Sequence, residues 1–360
     1  MKIDLIVGAR PNFIKAFPVY AALQESGKFD LRLINTGQHY DKNMSSIFFH
    51  QLQMKEHDIN LMIGSGSHAE QTGKTMIAIE KAFMDNRPDM VMVFGDVNST
   101  IAAALSATKL CIPVAHVEAG LRSFDRNMPE EINRLLTDQI SDLLFITSHE
   151  AKKNLIKEGK RKDQIYFVGN TMIDSLVKFK VHFDGLDILN KYNCENKNYV
   201  LITLHRPSNV DNIEQLTEVI QALNKLSESH VIFWPMHPRT KKKFFENKMK
   251  ISSSIIVLEP LGYFDFMGLQ KEAKYIITDS GGVQEESTYF GVPCFTVRDN
   301  TERPITIECG TNTLVGTNFL KIPDLIEKHL LSMNSQSKRP KYWDGKASKR
   351  LATIMIKHFF

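Results

Sequence analysis

Cysteine is scarce in this chain. Its four cysteines, Cys111, Cys194, Cys294 and Cys309, are scattered with no C-x-x-C pair and no His–Cys spacing. That excludes a disulfide framework and argues against a zinc site. Three of them stand beside apolar strand or turn residues and so read as buried free thiols in a reducing compartment. Long apolar runs are missing too, none approaching the ~18 residues of a membrane span. The opening segment Met1–Gly8 carries Asp4 inside its apolar stretch and reads as a first β-strand rather than a signal peptide, so a cytoplasmic location is expected. Charge is nearly balanced, 45 basic against 41 acidic residues, and no basic-aromatic stripe concentrates it, which argues against a nucleic-acid partner. Lys241–Lys243 reads as a solvated helix face. A G-x-G-x-x-G fingerprint is absent, so a dinucleotide cofactor has no support.

What is present is a strand–helix rhythm that occurs twice. Apolar runs at Ile3–Val7, Leu31–Asn35, Met90–Phe94, Val114–Val117, Leu143–Thr147 and Ile165–Val168 predict strands. Amphipathic stretches at Ile14–Gln24, Gln71–Asn86, Thr100–Lys109, Pro129–Ile140 and His149–Glu158 predict the helices between them. The rhythm restarts after the polar stretch Asp187–Asn198, with strands at Tyr199–Leu204, Val231–Trp234, Ile255–Leu258, Tyr275–Thr278 and Cys294–Val297. At 360 residues two domains are the natural reading. The fold class is therefore α/β, two Rossmann-like doubly wound domains with a central cleft: residues 1–169, residues 170–343 beyond a hinge near Gly169–Thr171, and a final helix within 344–360. The sequence leaves open whether that helix packs back on the first domain.

Polar clusters fall just after strand ends, where doubly wound sheets present ligand groups. Thr278–Ser287 reads Thr-Asp-Ser-Gly-Gly-Val-Gln-Glu-Glu-Ser, and Arg298–Pro304 follows it. Ser280, Gly281 and Gly282 stand at a helix start, where free amides and the macrodipole attract an anion and glycine lets it approach. Glu286, one turn on, is placed for a ribose, and Arg303 adds a guanidinium to the same anion. A plain helix N-cap at Asp279 or Ser280 after a tight turn explains the same pattern more modestly. Arg10 and Lys15 follow the first strand and would oppose the dipole of the helix behind them, which points to an anion; two solvated charges are the alternative. Asp96, after the third strand, equally suits an N-cap. Glu118, in His116-Val-Glu-Ala-Gly-Leu-Arg122, stands at a strand end, with a Glu118–Arg122 surface pair as its modest reading. Glu130 and Glu131 follow Pro129 and would favour a helix N-terminus on electrostatics alone. His205 and Arg206 end the first strand of the second half, and His237 and Arg239 repeat that placement one strand later. Carboxylates on one side and an anion site on the other suggest acid/base chemistry on a group attached to a phosphate.

In this order the segments GARPNFIK, TGQHYD, GDVNST, HVEAGLR, MPEEINR, TLHRPSN, DSGGVQEE and TERP resemble those of the non-hydrolysing UDP-N-acetylglucosamine 2-epimerases, from Gly8 to about Gly316. The resemblance implies a GT-B-like fold, a homodimer, no metal or nicotinamide cofactor, and a UDP-sugar as the small-molecule partner. It also implies the reaction: UDP leaves UDP-GlcNAc to give an enzyme-bound 2-acetamidoglucal and adds back to give UDP-ManNAc, a surface-polysaccharide precursor. By the same resemblance Asp96, Glu118 and Glu130 are the acid/base and charge-stabilising carboxylates, and His205 acts near the diphosphate. Arg10, Lys15, Ser280, Gly281, Gly282 and Arg303 hold the diphosphate, and Glu286 the ribose.

The chain also departs from the common family pattern. His205–Asn209 reads His-Arg-Pro-Ser-Asn where many members have His-Arg-Arg-Glu-Asn, which leaves room for a uronic acid or diacetamido sugar. Gln38–Asp41 and Glu70 fall where bacterial members contact an activating second UDP-GlcNAc, and a carboxylate at Glu70 would repel its diphosphate. Three other readings compete: a hydrolysing relative, a GT-B glycosyltransferase and a UDP-sugar-binding sensor. The intact MPEEINR and TERP segments argue against the first, and the three carboxylates against the other two.

Overall fold

The computed structural model describes residues 1–37, 57–192, 198–236, 238–332 and 338–360. It divides into two units, Met1–Lys178 with Lys341–Phe360, and Phe179–Pro340. The division falls inside the helix Thr171–Asp184, where the sequence reading put it near residue 170.

The first unit is built on a seven-stranded sheet of order β3-β2-β1-β4-β5-β6-β7. Its strands are β1 (Lys2–Val7), β2 (Asp30–Asn35), β3 (Ile59–Asn60), β4 (Met90–Phe94), β5 (Val114–Val117), β6 (Leu143–Ile146) and β7 (Ile165–Phe167). Every pairing is parallel. Parallel neighbours need helical crossovers, which cover both faces and explain why β4 is a continuous apolar run, buried throughout. Ile6, Val91, Val93 and Val114 pack against Ile79, Phe83, Ala103 and Ala107 of the helices His68–Asp85 and Asn98–Lys109. Order reverses between β1 and β4, so the turns following those two strands lie at the switch point of the sheet.

The second unit repeats the plan with six strands ordered β10-β9-β8-β11-β12-β13, again all parallel. They are β8 (Tyr199–Thr203), β9 (Val231–Pro235), β10 (Ile255–Leu258), β11 (Tyr275–Thr278), β12 (Cys294–Thr296) and β13 (Asn312–Leu314). Alternation along β8 sends Val200 and Ile202 into a cluster with Leu216, Val219 and Leu223. Tyr199 and Leu201 enter the opposite cluster with Leu269 and Val283. Its switch point lies between β8 and β11.

The fold class is the expected one, two α/β units each wound on both faces. The edge strands β3 and β13 were not foreseen, because two or three residues carry too little periodicity to register. The helix Arg10–Glu25 starts four residues before the amphipathic stretch Ile14–Gln24, with Pro11 in its opening turn. The cysteine expectation needs correction. Cys294 is buried, but Cys111 is exposed and Cys309 only half-buried. Cys111 sits at φ 52° in the turn after a helix, which holds it outside the core. Cys194, Gln38–Asp41 and His237 fall outside the described residues.

The returning segment 341–360 packs in the first unit, its helix Ala347–Phe359 lying against the helix Arg10–Glu25. Trp343 is buried and donates to the carbonyl of Thr147 at 3.3 Å. Asp174 accepts from the amides of Ala347 at 3.0 Å and Ser348 at 2.7 Å, and from the Ser348 hydroxyl at 2.6 Å, capping that helix. Gly169, at φ 95°, has no room for a side chain: a Cβ would stand 2.1 Å from the carbonyl oxygen of Tyr342.

Candidate functional site

In the first unit three loops converge at the switch point, after β1, β4 and β5. Asn12 ties the first to the second. Its side-chain oxygen accepts from the amides of Gly8 and Ala9, and its nitrogen donates to the carbonyl of Phe94 at 2.8 Å. One turn further along the helix, Lys15 is buried and donates to Glu118 Oε1 at 2.7 Å, with both side chains at most 5% exposed. Gly95 (φ 64°) adjoins this pair; a Cβ there would stand 3.1 Å from Lys15 Nζ and 3.7 Å from Glu118 Oε1. Glycine supplies both the left-handed turn and the space.

Glu118 has φ 76°, an unusual conformation for a residue with a side chain. The carbonyl of Phe145 holds that turn by accepting from the amides of Glu118 and Ala119. Such strain concentrates at functional positions, and here it accompanies a buried carboxylate facing a buried ammonium. Arg122 does not form the surface pair with Glu118 that was the modest alternative for that carboxylate. It is buried and donates to Asp138 Oδ2 and to Glu158 Oε2, each at 2.6 Å. Burial opposes the Arg122 charge, but these two carboxylates outweigh it and raise its pKa. For Asp138, burial raises and His116 and Arg122 lower, and the partners prevail, so the carboxyl is held below its ordinary value.

Asp96, partly exposed at 22%, pairs with Arg134. Arg134 also donates to Glu131 Oε2 at 2.7 Å, and Asn133 Nδ2 donates to the carbonyl of Asp96 at 2.9 Å. The helix Pro129–Ile140 therefore fixes Asp96 through consecutive residues. Its two leading carboxylates part company. Glu131 is buried and accepts from the Ser123 amide and hydroxyl, the Phe124 amide and Arg134, so its lone pairs are spent on structure. Glu130 is half-buried and has no hydrogen-bond or ion-pair partner among the described residues.

In the second unit the helix Gly281–Phe290 begins one residue after Ser280, whose hydroxyl makes no capping bond. Ser280 is the N-cap residue; Asp279 does other work. Its buried carboxylate accepts from the amides of His205 and Arg206 and from Asn209 Nδ2 at 2.9 Å. His205 Nδ1 lies 2.8 Å from Asp279 Oδ1, while the imidazole itself is 55% exposed. Asp279 thus orients the ring with Nε2 outward. Burial would raise its pKa, but His205, the Arg206 amide and Asn209 hold the carboxyl below its ordinary value. This His–Asp pair joins the turns after β8 and β11, the two strands at the switch point.

Arg303 lies across the helix start. A Cβ on Gly281 would stand 2.4 Å from Arg303 Nη1, and Arg303 Nε is 3.0 Å from Glu285 Oε1. Glu302 bridges Arg303 and Arg298, giving a buried set of two guanidiniums and two carboxylates. Glu286 is buried and accepts from Gln270 Nε2 at 2.7 Å, which fixes one of its oxygens. Arg10 opens the first helix, half-buried.

Sequence reasoning missed Arg134, Glu285, Gln270 and the orienting role of Asp279, which engage partners remote in the chain, and Glu302, whose partners Arg298 and Arg303 are close in sequence. The pairs Arg134–Glu131 and Arg298–Glu302, three and four residues apart, were the local clues. Glu70, whose carboxylate the sequence set against an activator, caps its own helix with Ser67 and pairs with exposed Lys74. No group of three or more metal-ligating side chains occurs among the described residues.

A family model described as UDP-N-acetylglucosamine 2-epimerase matches residues 21–356. A UDP-N-acetylglucosamine 2-epimerase of Methanocaldococcus jannaschii is 46% identical over 99% of both chains. A UDP-2,3-diacetamido-2,3-dideoxy-D-glucuronate 2-epimerase of Pseudomonas aeruginosa is 40% identical, over 99% of this chain and 100% of that one. The crystal structure of the M. jannaschii UDP-GlcNAc 2-epimerase with UDP-GlcNAc and UDP matches with a TM-score of 0.92 at 45% identity, covering 99% of this chain and 100% of that one. With carboxylates gathered at one switch point and an anion-ready helix start at the other, the chain belongs to the UDP-N-acetylglucosamine 2-epimerase family, a family of isomerases acting on nucleotide sugars.

Proposed function

We propose that this protein inverts C2 of UDP-GlcNAc without net hydrolysis. The C2–H bond breaks to an enzyme base while the C1–O bond breaks with its electron pair going to UDP, leaving a C1=C2 glycal. A proton then returns to the opposite face of C2, and UDP re-attacks C1. The C2 proton is not adjacent to a carbonyl, so a base alone is insufficient. Charge on the departing diphosphate and at C1 must be stabilised together. The observation that carries this reading is the buried Lys15–Glu118 pair in a strained turn beside Asp96. Glu118, Asp96 and Glu130 take the acid/base and charge-stabilising roles. Ser280, Gly281, Gly282 and Arg303, with Arg10 and Lys15, hold the diphosphate, Glu286 the ribose, and His205 acts at the leaving oxygen. The proposal includes a cytoplasmic homodimer that feeds a surface polysaccharide.

A second reading, epimerisation of a diacetamido uronate, draws support from the P. aeruginosa relative. Incubation with each UDP-sugar in D2O, followed by NMR, separates them. Deuterium at C2 in both epimers of UDP-GlcNAc is expected. Exchange confined to the diacetamido uronate selects the second reading, and accumulation of free ManNAc rejects both.

A further inference from the structure

His116 and Asp138 are wholly buried, titratable, and untouched by the roles assigned above. His116 Nε2 lies 2.8 Å from the carbonyl oxygen of Gly95, and Nδ1 lies 2.7 Å from Asp138 Oδ1. A carbonyl only accepts, so Nε2 bears a proton and donates it. The other Asp138 oxygen accepts from the Gly120 amide at 3.0 Å and from Arg122 Nη2 at 2.6 Å. One carboxylate thereby reaches two turns: directly the one that carries Glu118, and through the imidazole the one that carries Asp96. Both turns use left-handed backbone: Gly95 and Gly120, with φ of 64° and 79°, adopt it readily as glycines, whereas Glu118, with φ 76°, does not. Asn154 adds a third tie, donating to the carbonyl of Gly120 at 2.9 Å. Burying His116, Asp138 and Arg122 together incurs a desolvation cost that apolar side chains of similar size would avoid, so stability alone does not account for the set.

We propose that His116 and Asp138 are a positioning couple that holds the Asp96 turn and the Glu118 turn at a fixed separation, a role that rests on the reading of those carboxylates as acting on a UDP-sugar. Neither side chain is exposed to substrate, so both act through the backbone they hold.

The test exploits the two ends of the imidazole. Gln places its amide near Nε2, and Asn near Nδ1. His116→Gln retains the donation to Gly95 and gives up Asp138, whereas His116→Asn does the reverse. In UDP-GlcNAc epimerisation, His116→Asn is expected to lower kcat on the order of 100-fold with KM within about threefold, as for a small misplacement of reacting groups. His116→Gln breaks the same relay at its other end and is expected to lower kcat to a similar extent. A kcat within about threefold of wild type in either variant would overturn the proposal. Amide exchange read by mass spectrometry gives a measure independent of activity. Asp138→Asn should speed exchange in the peptides spanning 93–99 and 117–123 together, and loosening of only one, or of neither, counts against the couple. If the wild-type enzyme fails to turn over UDP-GlcNAc, the functional reading falls, and amide exchange still decides the couple.

Discussion

At the scale of single residues, the proposed chemistry turns on Glu118. It is buried beside Lys15, in a backbone conformation that few side-chain residues adopt. Glu118→Gln removes the negative charge and keeps the shape, so Lys15 is left as a buried ammonium facing a neutral amide. We expect C2 exchange in D2O to fall by about 10²–10⁴-fold, the usual worth of a positioned acid or base. UDP affinity by calorimetry should stay within a few fold, since the helix start proposed to hold UDP is elsewhere in the chain. Turnover at the wild-type rate would remove Glu118 from the mechanism. The contrast between Glu130 and Glu131 belongs here as well. Adjacent in sequence and alike in charge, they were separated only by the family resemblance, which named Glu130. Only the fold spends Glu131 on Ser123, Phe124 and Arg134 and leaves Glu130 available.

Among the elements, the helix Gly281–Phe290 is the most informative, because its position directly after β11 and its glycines were readable in the sequence. Arg303 was read as belonging to this helix start and lies against Gly281; what could not be read was the pairing of its guanidinium with Glu285 and Glu302. Gly281→Ala would drive a methyl into a side chain held on two sides. It should weaken UDP binding by about tenfold, roughly 1.4 kcal/mol, as measured by calorimetry. An unchanged Kd would show that the diphosphate does not sit at this helix start. The turn from β4 into the next helix is the matching element of the first unit. Asp96 read equally well as an N-cap, but the helix Asn98–Lys109 takes Val97 as its N-cap residue, without a side-chain cap, and Asp96 turns to Arg134 instead.

For the whole molecule, the decisive feature is that the chain ends where it began, in the first unit. Asp174 caps the last helix through three hydrogen bonds, and burial raises its pKa despite them. Asp174→Ala should cost about 1–3 kcal/mol through the orphaned amides of Ala347 and Ser348. Urea denaturation measures the loss, and amide exchange in 347–359 should quicken with it; a protein of unchanged stability would mean the tail is held by Trp343 and apolar packing alone. The fold class, most strands along the chain and the post-strand positions of Asp96, Glu118, His205 and Ser280 were legible, since parallel β–α units announce themselves by short-range periodicity. The sequence by itself therefore determined the fold class, the family and which polar residues follow strand ends. Tertiary structure decided which charges are engaged: Lys15 by Glu118, Arg303 by two carboxylates, His116 and Asp279 by turns some twenty to more than seventy residues away. Ion pairing and desolvation depend on distances through space, and no local pattern in the chain encodes those distances.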